Sequence, residues 1–139
     1  MRQFADFIRV QTRGRGLIDV THSIEEWIEP HRLRTGLVTL LCRHTSASLI
    51  IQENAAPAAR SDLEAFFEAL APEDPRRYAH DDEGPDDMPA HIRAALTGVS
   101  LSIPLIEGRL ALGMWQGIWL FEHRRAPHGR EIAAHAIGE

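Results

Sequence analysis

Short apolar runs with strand character, separated by glycine, proline and small polar residues, recur along the whole chain and restrict what it can fold into. Phe4 to Val10 forms the first run and ends at the basic turn RGRG. Leu37 to Cys42 and Leu49 to Ile51 form two more, split by a small polar segment. After Gly98, VSLSIPLIEGRLALGMWQGIWLFEHR returns to strand character, and EIAAHAIG supplies a final strand. Pro104 argues for a strand edge or end, because proline cannot donate to the ladder. Gly108, Gly113 and Gly117 permit tight turns or close backbone approach.

Helical spacing appears in only a few places. VTHSIEEWIE carries Ile24, Trp27 and Ile28 at helical intervals and should end near Pro30, with Trp27 read as core. PAARSDLEAFFEAL predicts a helix burying Leu63, Phe66, Phe67 and Leu70, with Asp62 and Glu64 facing water, and Pro72 and Pro75 terminate it. MPAHIRAAL predicts a third. With 139 residues, 15.6 kDa and 44% hydrophobic content, the chain has material for one substantial core. The reading is therefore α+β: a compact, strand-rich, β-sandwich-like single domain over residues 1–139, with about three helices and no repeated βαβ units.

The densest chemistry lies in HDDEGPDDMPAH, where His80 and His91 bracket Asp81, Asp82, Glu83, Asp86 and Asp87. Gly84 and Pro85 break the segment, so His80 and the first acids belong to a loop. Asp87 then stands beside a helix start, where a carboxylate accepts exposed amide protons and Pro89 is tolerated in the first turn. His91 falls in the first turn or two, a position that suits a ligand or a general base. The same residues also read as an acidic, solvated turn capping a helix, since the spacing matches no zinc or calcium period.

Other polar residues have two readings each. His44, at the interruption between two strands, is a candidate ligand or base; it also fits a polar connection bonded to its own backbone. Ser46 and His44 lack the elbow and ordering carboxylate of a nucleophilic pair. Asn54 orients a substrate or closes a turn. Arg13 and Arg15 grip phosphate or simply keep a hairpin soluble. Trp115, Gln116, Gly117 and Trp119 form a pocket wall, a subunit contact or core. A formal charge of -5, from 15 basic and 20 acidic residues, gives no footprint for nucleic acid. The lone Cys42 rules out an internal disulfide framework and reads as a buried thiol, which fits a reducing cytoplasm. No secretion signal or bilayer-length apolar stretch is visible, so no membrane role is expected.

Five separated segments, HTSASLIIQEN at 44–54, YAHDDEG at 78–84, DDMPAHIRAALTG at 86–98, IPLIEGRLALG at 103–113 and WQGIWLFEHR at 115–124, resemble the YjbQ-like family. That family is also labelled secondary thiamine-phosphate synthase enzymes, or uncharacterised protein family 0047. Their order and spacing carry the resemblance over nearly the whole chain. It implies a homotrimer with polar residues collected in a pocket near the subunit interface. Residue by residue, His44, His80 and His91 match the family's histidines, Glu53 and Asn54 its EN pair, and Asp87 and Gln116 polar positions of later motifs. Ala56 stands where the family often has an acid, and Met114 where threonine is common; the first weakens any mechanism needing a carboxylate there.

The activity implied by the resemblance joins a hydroxymethylpyrimidine diphosphate to a thiazole phosphate with loss of diphosphate. In that reading His91, Glu53, Asn54, Arg109 and Arg124 are the candidate catalytic residues, and His44, His80 and His91 hold a divalent metal. Imidazoles suit zinc, while carboxylates and substrate phosphate suit magnesium. Magnesium would neutralise the leaving diphosphate while Arg109, Arg124 or His91 stabilise its oxygens. The competing expectation is a non-catalytic trimeric module, structural or binding a phosphorylated small molecule, built on the glycine- and tryptophan-rich C-terminal half.

Overall fold

The computed structural model describes residues 1–139. In chain order the elements are β1 (Arg2–Gln11), β2 (Gly16–Asp19), α1 (Thr21–Ile28), β3 (Gly36–Cys42), β4 (Ala47–Glu53), α2 (Pro57–Leu70), α3 (Asp87–Thr97), β5 (Ser100–Ile106), β6 (Arg109–Leu110), β7 (Gln116–Glu122) and β8 (Gly129–Gly138). They close into a five-stranded sheet of order β1-β8-β3-β5-β6 and a three-stranded sheet of order β2-β7-β4. Every pairing is antiparallel. This is the α+β, sandwich-like domain with three helices that the run pattern predicts. Pro104 lies in β5, where its carbonyl accepts from Ala111 just past the short edge strand β6. No helix is long and apolar enough to cross a membrane.

Period-two alternation decides which faces meet. In β8, Ile132, Ala134 and Ala136 point inward and join Val38 and Leu40 of β3 and Ile103 and Leu105 of β5. They pack against Leu49 of β4 and Ile118 and Leu120 of β7, with Ile24 and Ile28 of α1 closing the core. Fully burying each aliphatic chain of this size contributes about 1.5–3 kcal/mol. β7 is buried on both faces, because Trp119 and Phe121 point the other way and meet Leu17, Leu63 and Phe67 under α2. That double burial explains its unbroken apolar run. At the far end β3 and β8 approach so closely that a Cβ at Gly36 would lie 2.2 Å from the Ile137 carbonyl oxygen, and one at Gly138 would lie 2.2 Å from that of Thr35.

The α2 reading needs correction. Leu63 and Phe67 dock on the small sheet, but Phe66 and Leu70 are 60% and 47% exposed. The helix contacts the sheet along one narrow stripe, and these two residues fall outside it. Glu64 does not face water as expected, since its Oε1 accepts the Leu17 N–H at 2.9 Å on the edge of β2. Trp27 sits at the core margin, only partly buried. Arg15 is taken by ion pairs with Glu68 and Glu73, which leaves it no free charge for phosphate.

A buried polar network joins the two sheets. Glu122, at the end of β7, is fully buried and accepts from Thr12 Oγ1 at 2.7 Å and from Arg130 Nε at 2.8 Å. Arg130, the second residue of β8, also donates through Nη2 to Glu122 Oε2 and to Ser46 Oγ, the latter at 2.9 Å. His123 lies beside this network, completely buried; Ser48 Oγ is 2.9 Å from its Nε2, while its Nδ1 has no partner.

Desolvation, and then the positive charges of Arg93 and Arg130, lower the His123 pKa to about 3. The folded protein therefore keeps this imidazole neutral, whereas the unfolded chain binds a proton below about pH 6.5. Stability from this group is complete above that pH and falls as pH drops toward about 3, by roughly 1.4 kcal/mol per pH unit. In urea unfolding at pH 7.5 and 4.5, the part of the wild-type stability difference that comes from His123 should be a loss of about 2–3 kcal/mol at the lower pH. The His123→Gln protein should show a clearly smaller difference; equal pH slopes in the two proteins would contradict this assignment.

Candidate functional site

The acidic stretch folds back so that loop and helix place their donors together. His80 and Glu83 come from the loop before α3, whereas Asp87 and His91 occupy successive turns of α3. One donor atom from each of these four lies within 4.8 Å of all the others. Asp87 is at the centre, with its side chain only 3% exposed. His80 Nε2 lies 2.8 Å and His91 Nε2 3.0 Å from the same oxygen, Asp87 Oδ2, and Glu83 Oε2 is 3.4 Å from His80 Nε2. The other Asp87 oxygen, Oδ1, accepts from Arg124 Nη1 at 2.6 Å.

This arrangement corrects the expected capping role. Asp87 is the first residue of α3, preceded by Asp86 at the cap, and no side-chain cap bond forms there. The Asp87 carboxylate is spent on His80, His91 and Arg124 rather than on backbone amides. Burial alone would raise its pKa, but hydrogen bonds with His80 and Glu83 and the charges of His91 and Arg124 outweigh burial and hold the pKa below the ordinary value. The Asp87 hydrogen bond in turn raises the pKa of His80.

Hydrogen-bond logic makes the centre unusual. His91 Nδ1 lies 2.8 Å from the Thr45 carbonyl oxygen, which can only accept, so Nδ1 carries the proton. Its Nε2 lone pair would then oppose a carboxylate oxygen, an arrangement that requires a proton or a cation between them. His80 Nε2 faces the same oxygen. A tetrahedral ion with bonds of about 2.0–2.1 Å has donor-to-donor edges of about 3.3 Å. Three of the six separations here are 2.8, 3.0 and 3.4 Å, and all six lie within 4.8 Å, a spacing that small adjustments of the side chains bring to that edge. Two imidazoles with two carboxylates match zinc or another borderline divalent ion better than magnesium, which prefers an oxygen shell.

The two histidines of the cluster line a cavity of about 780 Å³, whose other lining includes Cys42, Arg43, His44, Thr45 and Met88, with Ala94, Ala95 and Val99. His44 shares this cavity with His80 and His91 but is not among the four clustered donors. Its Nε2 accepts the Glu131 backbone N–H at 2.8 Å, which anchors the ring to β8. Desolvation and the nearby Arg130 charge lower its pKa.

The remaining sequence candidates lie elsewhere in the chain. Glu53 Oε2 accepts the Ala55 and Ala56 N–H groups, and Asn54 Nδ2 donates to the Met114 and Gln116 carbonyls, so both hold turns together. They border a separate small depression with Arg60 and Trp119. Gln116 caps its own turn by accepting from Gly113 N at 2.7 Å. Arg109 lines another depression with Glu25 and Glu29. Trp119 is core, while Met114 and Trp115 are exposed.

Sequence reasoning singled out the two cluster histidines but not Glu83 as a donor, and it placed Asp87 at a helix cap. The available signal was the i, i+4 spacing of Asp87 and His91, which puts them on one helix face. Nothing local showed that the carbonyl of Thr45, from the turn before β4, would fix the His91 ring.

The family model described as UPF0047 protein YjbQ-like matches residues 6–139. The chain belongs to this family. A UPF0047 protein of Synechocystis is 51% identical over 138 residues, covering 99% of this chain and 94% of that one. An uncharacterized conserved YjbQ/UPF0047-family protein from Clostridium acetobutylicum, solved by crystallography, superposes with a TM-score of 0.86 at 28% identity, covering 95% and 99% of the two chains. A YbjQ-like protein of unknown function from Sulfolobus solfataricus has the same fold, with a TM-score of 0.86 at 22% identity over 99% and 100%. The family match over residues 6–139 includes the stretch from residue 80 to residue 91.

Cys42 borders the cavity but is 3% exposed, and desolvation by burial raises its pKa. It should behave as a packed thiol. A disulfide reagent at pH 7.5 should label it at least about tenfold more slowly in the folded protein than in urea, because thiolate fraction and access set the rate. Equal labelling rates would show an open, activated thiol instead.

Proposed function

We propose that the cavity is the active site of a metal-assisted enzyme acting on a phosphorylated small molecule. The proposed reaction couples a hydroxymethylpyrimidine diphosphate to a thiazole phosphate with release of diphosphate. The carrying observation is that two imidazole Nε2 atoms converge on one buried carboxylate oxygen, Asp87 Oδ2, with one ring already fixed by a carbonyl. Electrostatics supports a cation there. The loop and helix start concentrate Asp81, Asp82, Glu83, Asp86 and Asp87, which repel a diphosphate until positive charge is added.

His80, His91, Asp87 and Glu83 would hold the ion, which supplies positive charge to developing phosphate oxygens. The chain's own groups have separate tasks. Thr45 fixes the His91 tautomer, and His44, a lining residue of the cavity, is anchored on β8 through Nε2, which leaves its ring proton on Nδ1 as a hydrogen-bond donor. Ala94, Ala95, Met88 and Val99 give the cavity an apolar side for a heterocyclic ring. Arg109 and Arg124 are not used on phosphate in this mechanism, because Arg109 borders a different depression and Arg124 is engaged by Asp86 and Asp87.

A ligand-binding module without turnover is the second reading. It is favoured by the lack of a free basic group at the cavity: Arg43 pairs with Glu131 and Arg124 with its acids. Metal content and product formation separate the two. Purified protein should carry about one zinc-like ion per chain, lose coupling activity on chelation and regain it with zinc. His91→Gln should lower turnover by about 10²-fold or more while assembly mass stays the same. Full turnover by metal-free protein would end the metal reading, and ligand binding with no product across the substrate panel would favour the module.

We also propose a homotrimer, as the family resemblance implies. The outer face of the five-stranded sheet exposes Phe7 and Leu41, which with Thr39, Ala133 and His135 border a hollow of about 490 Å³. An apolar sheet face of this kind is ordinarily covered by association. Sedimentation equilibrium should return three times the chain mass, and Leu41→Glu should dissociate the assembly. A wild-type monomer across the working concentration range would refute it.

A further inference from the structure

Arg124 carries a positive charge into a cluster proposed to hold a cation, and simple charge arithmetic does not explain it. All three of its guanidinium nitrogens are used. Nη1 donates to Asp87 Oδ1 at 2.6 Å, Nε to Asp86 Oδ2 at 3.1 Å, and Nη2 to the Glu83 carbonyl at 2.8 Å. Its side chain is 20% exposed. The fork therefore spans both ends of the acidic turn, Glu83 in the loop and Asp87 on α3. Asp86 is held a second time, because its Oδ2 also accepts the Arg125 N–H at 3.0 Å. Gly84, at a φ of +100°, gives the turn its shape where a Cβ would lie 3.3 Å from Asp86 Oδ1.

We infer that Arg124 is a positioning residue for the metal site. By occupying Asp87 Oδ1 it leaves Oδ2 turned toward His80 and His91, and by gripping the Glu83 carbonyl it fixes the loop donor relative to the helix donors. This inference rests on the metal reading of the cavity, and it gives Arg124 a task different from binding the diphosphate.

The sign of one measurement separates positioning from charge. A guanidinium close to a bound cation repels it, so if charge were its only effect, removing Arg124 would tighten metal binding. Partners that orient a ligating side chain act the other way, and their loss weakens binding by about 10- to 100-fold. Lysine keeps the charge but not the planar fork, so it cannot hold three acceptors in this geometry.

Zinc affinity by competition with a chromophoric chelator, and the visible absorption of the cobalt-loaded protein, should be measured on the full chain. Arg124→Gln and Arg124→Lys are both expected to bind zinc about 10- to 100-fold more weakly, with a cobalt spectrum altered from wild type. Asp86→Ala removes only one acceptor of the fork and carries the same test if the arginine variants fail to fold, with a loss of about threefold or more expected. Unchanged or tighter zinc binding with an unaltered cobalt spectrum in folded variants would overturn the positioning role alone. Failure of the wild-type protein to bind either ion would overturn it together with the metal reading.

Discussion

The buried Glu122–Arg130 pair is the interaction on which the arrangement of the two sheets depends. Glu122 ends β7 and Arg130 is the second residue of β8, so this one contact ties the small sheet to the large one. Thr12, just after β1, and Ser46, just before β4, complete its hydrogen bonds. A buried charge is tolerable only when its lone pairs and protons are satisfied, and removing one partner of such a pair typically costs about 3–5 kcal/mol. Apolar burial supplies the bulk of the driving force but is not directional. The ion pair adds direction, and it sits at the end of the sandwich where the loops before β4 and β8 converge.

That convergence has a consequence for the cavity. Ser46 is locked by Arg130, and the neighbouring Thr45 carbonyl receives His91, so the sheet tie and the histidine cluster share the turn before β4. His44 is anchored to Glu131, the residue after Arg130. The cavity wall is therefore attached to rigid strand ends rather than to mobile loops, an arrangement suited to holding donors at fixed separations. The one side built from loop, 80–86, is the side gripped by Arg124. Asp87 is where the two supports meet, with one oxygen on the arginine and the other on the imidazoles.

The sequence by itself determined the local elements. Short apolar runs located β1, β3 and β4, and the proline and glycine boundaries located α2 and α3. The density of donors in HDDEGPDDMPAH located the His80–His91 cluster, since its members lie within a few turns of chain and Asp87 and His91 share a helix face. Motif order also carried the family relationship. Tertiary structure alone decided what each side chain faces: that Phe66 and Leu70 point outward, that Glu64 closes β2, and that Glu53, Asn54 and Arg109 border depressions of their own. It also decided that Thr45 orients His91 and that Arg124 spans the acidic turn. The physical reason is range. Backbone propensity and periodicity act over a few residues and are written locally, whereas the partner of a carboxylate or an imidazole is set by strand pairings between residues tens of positions apart, which no local pattern encodes.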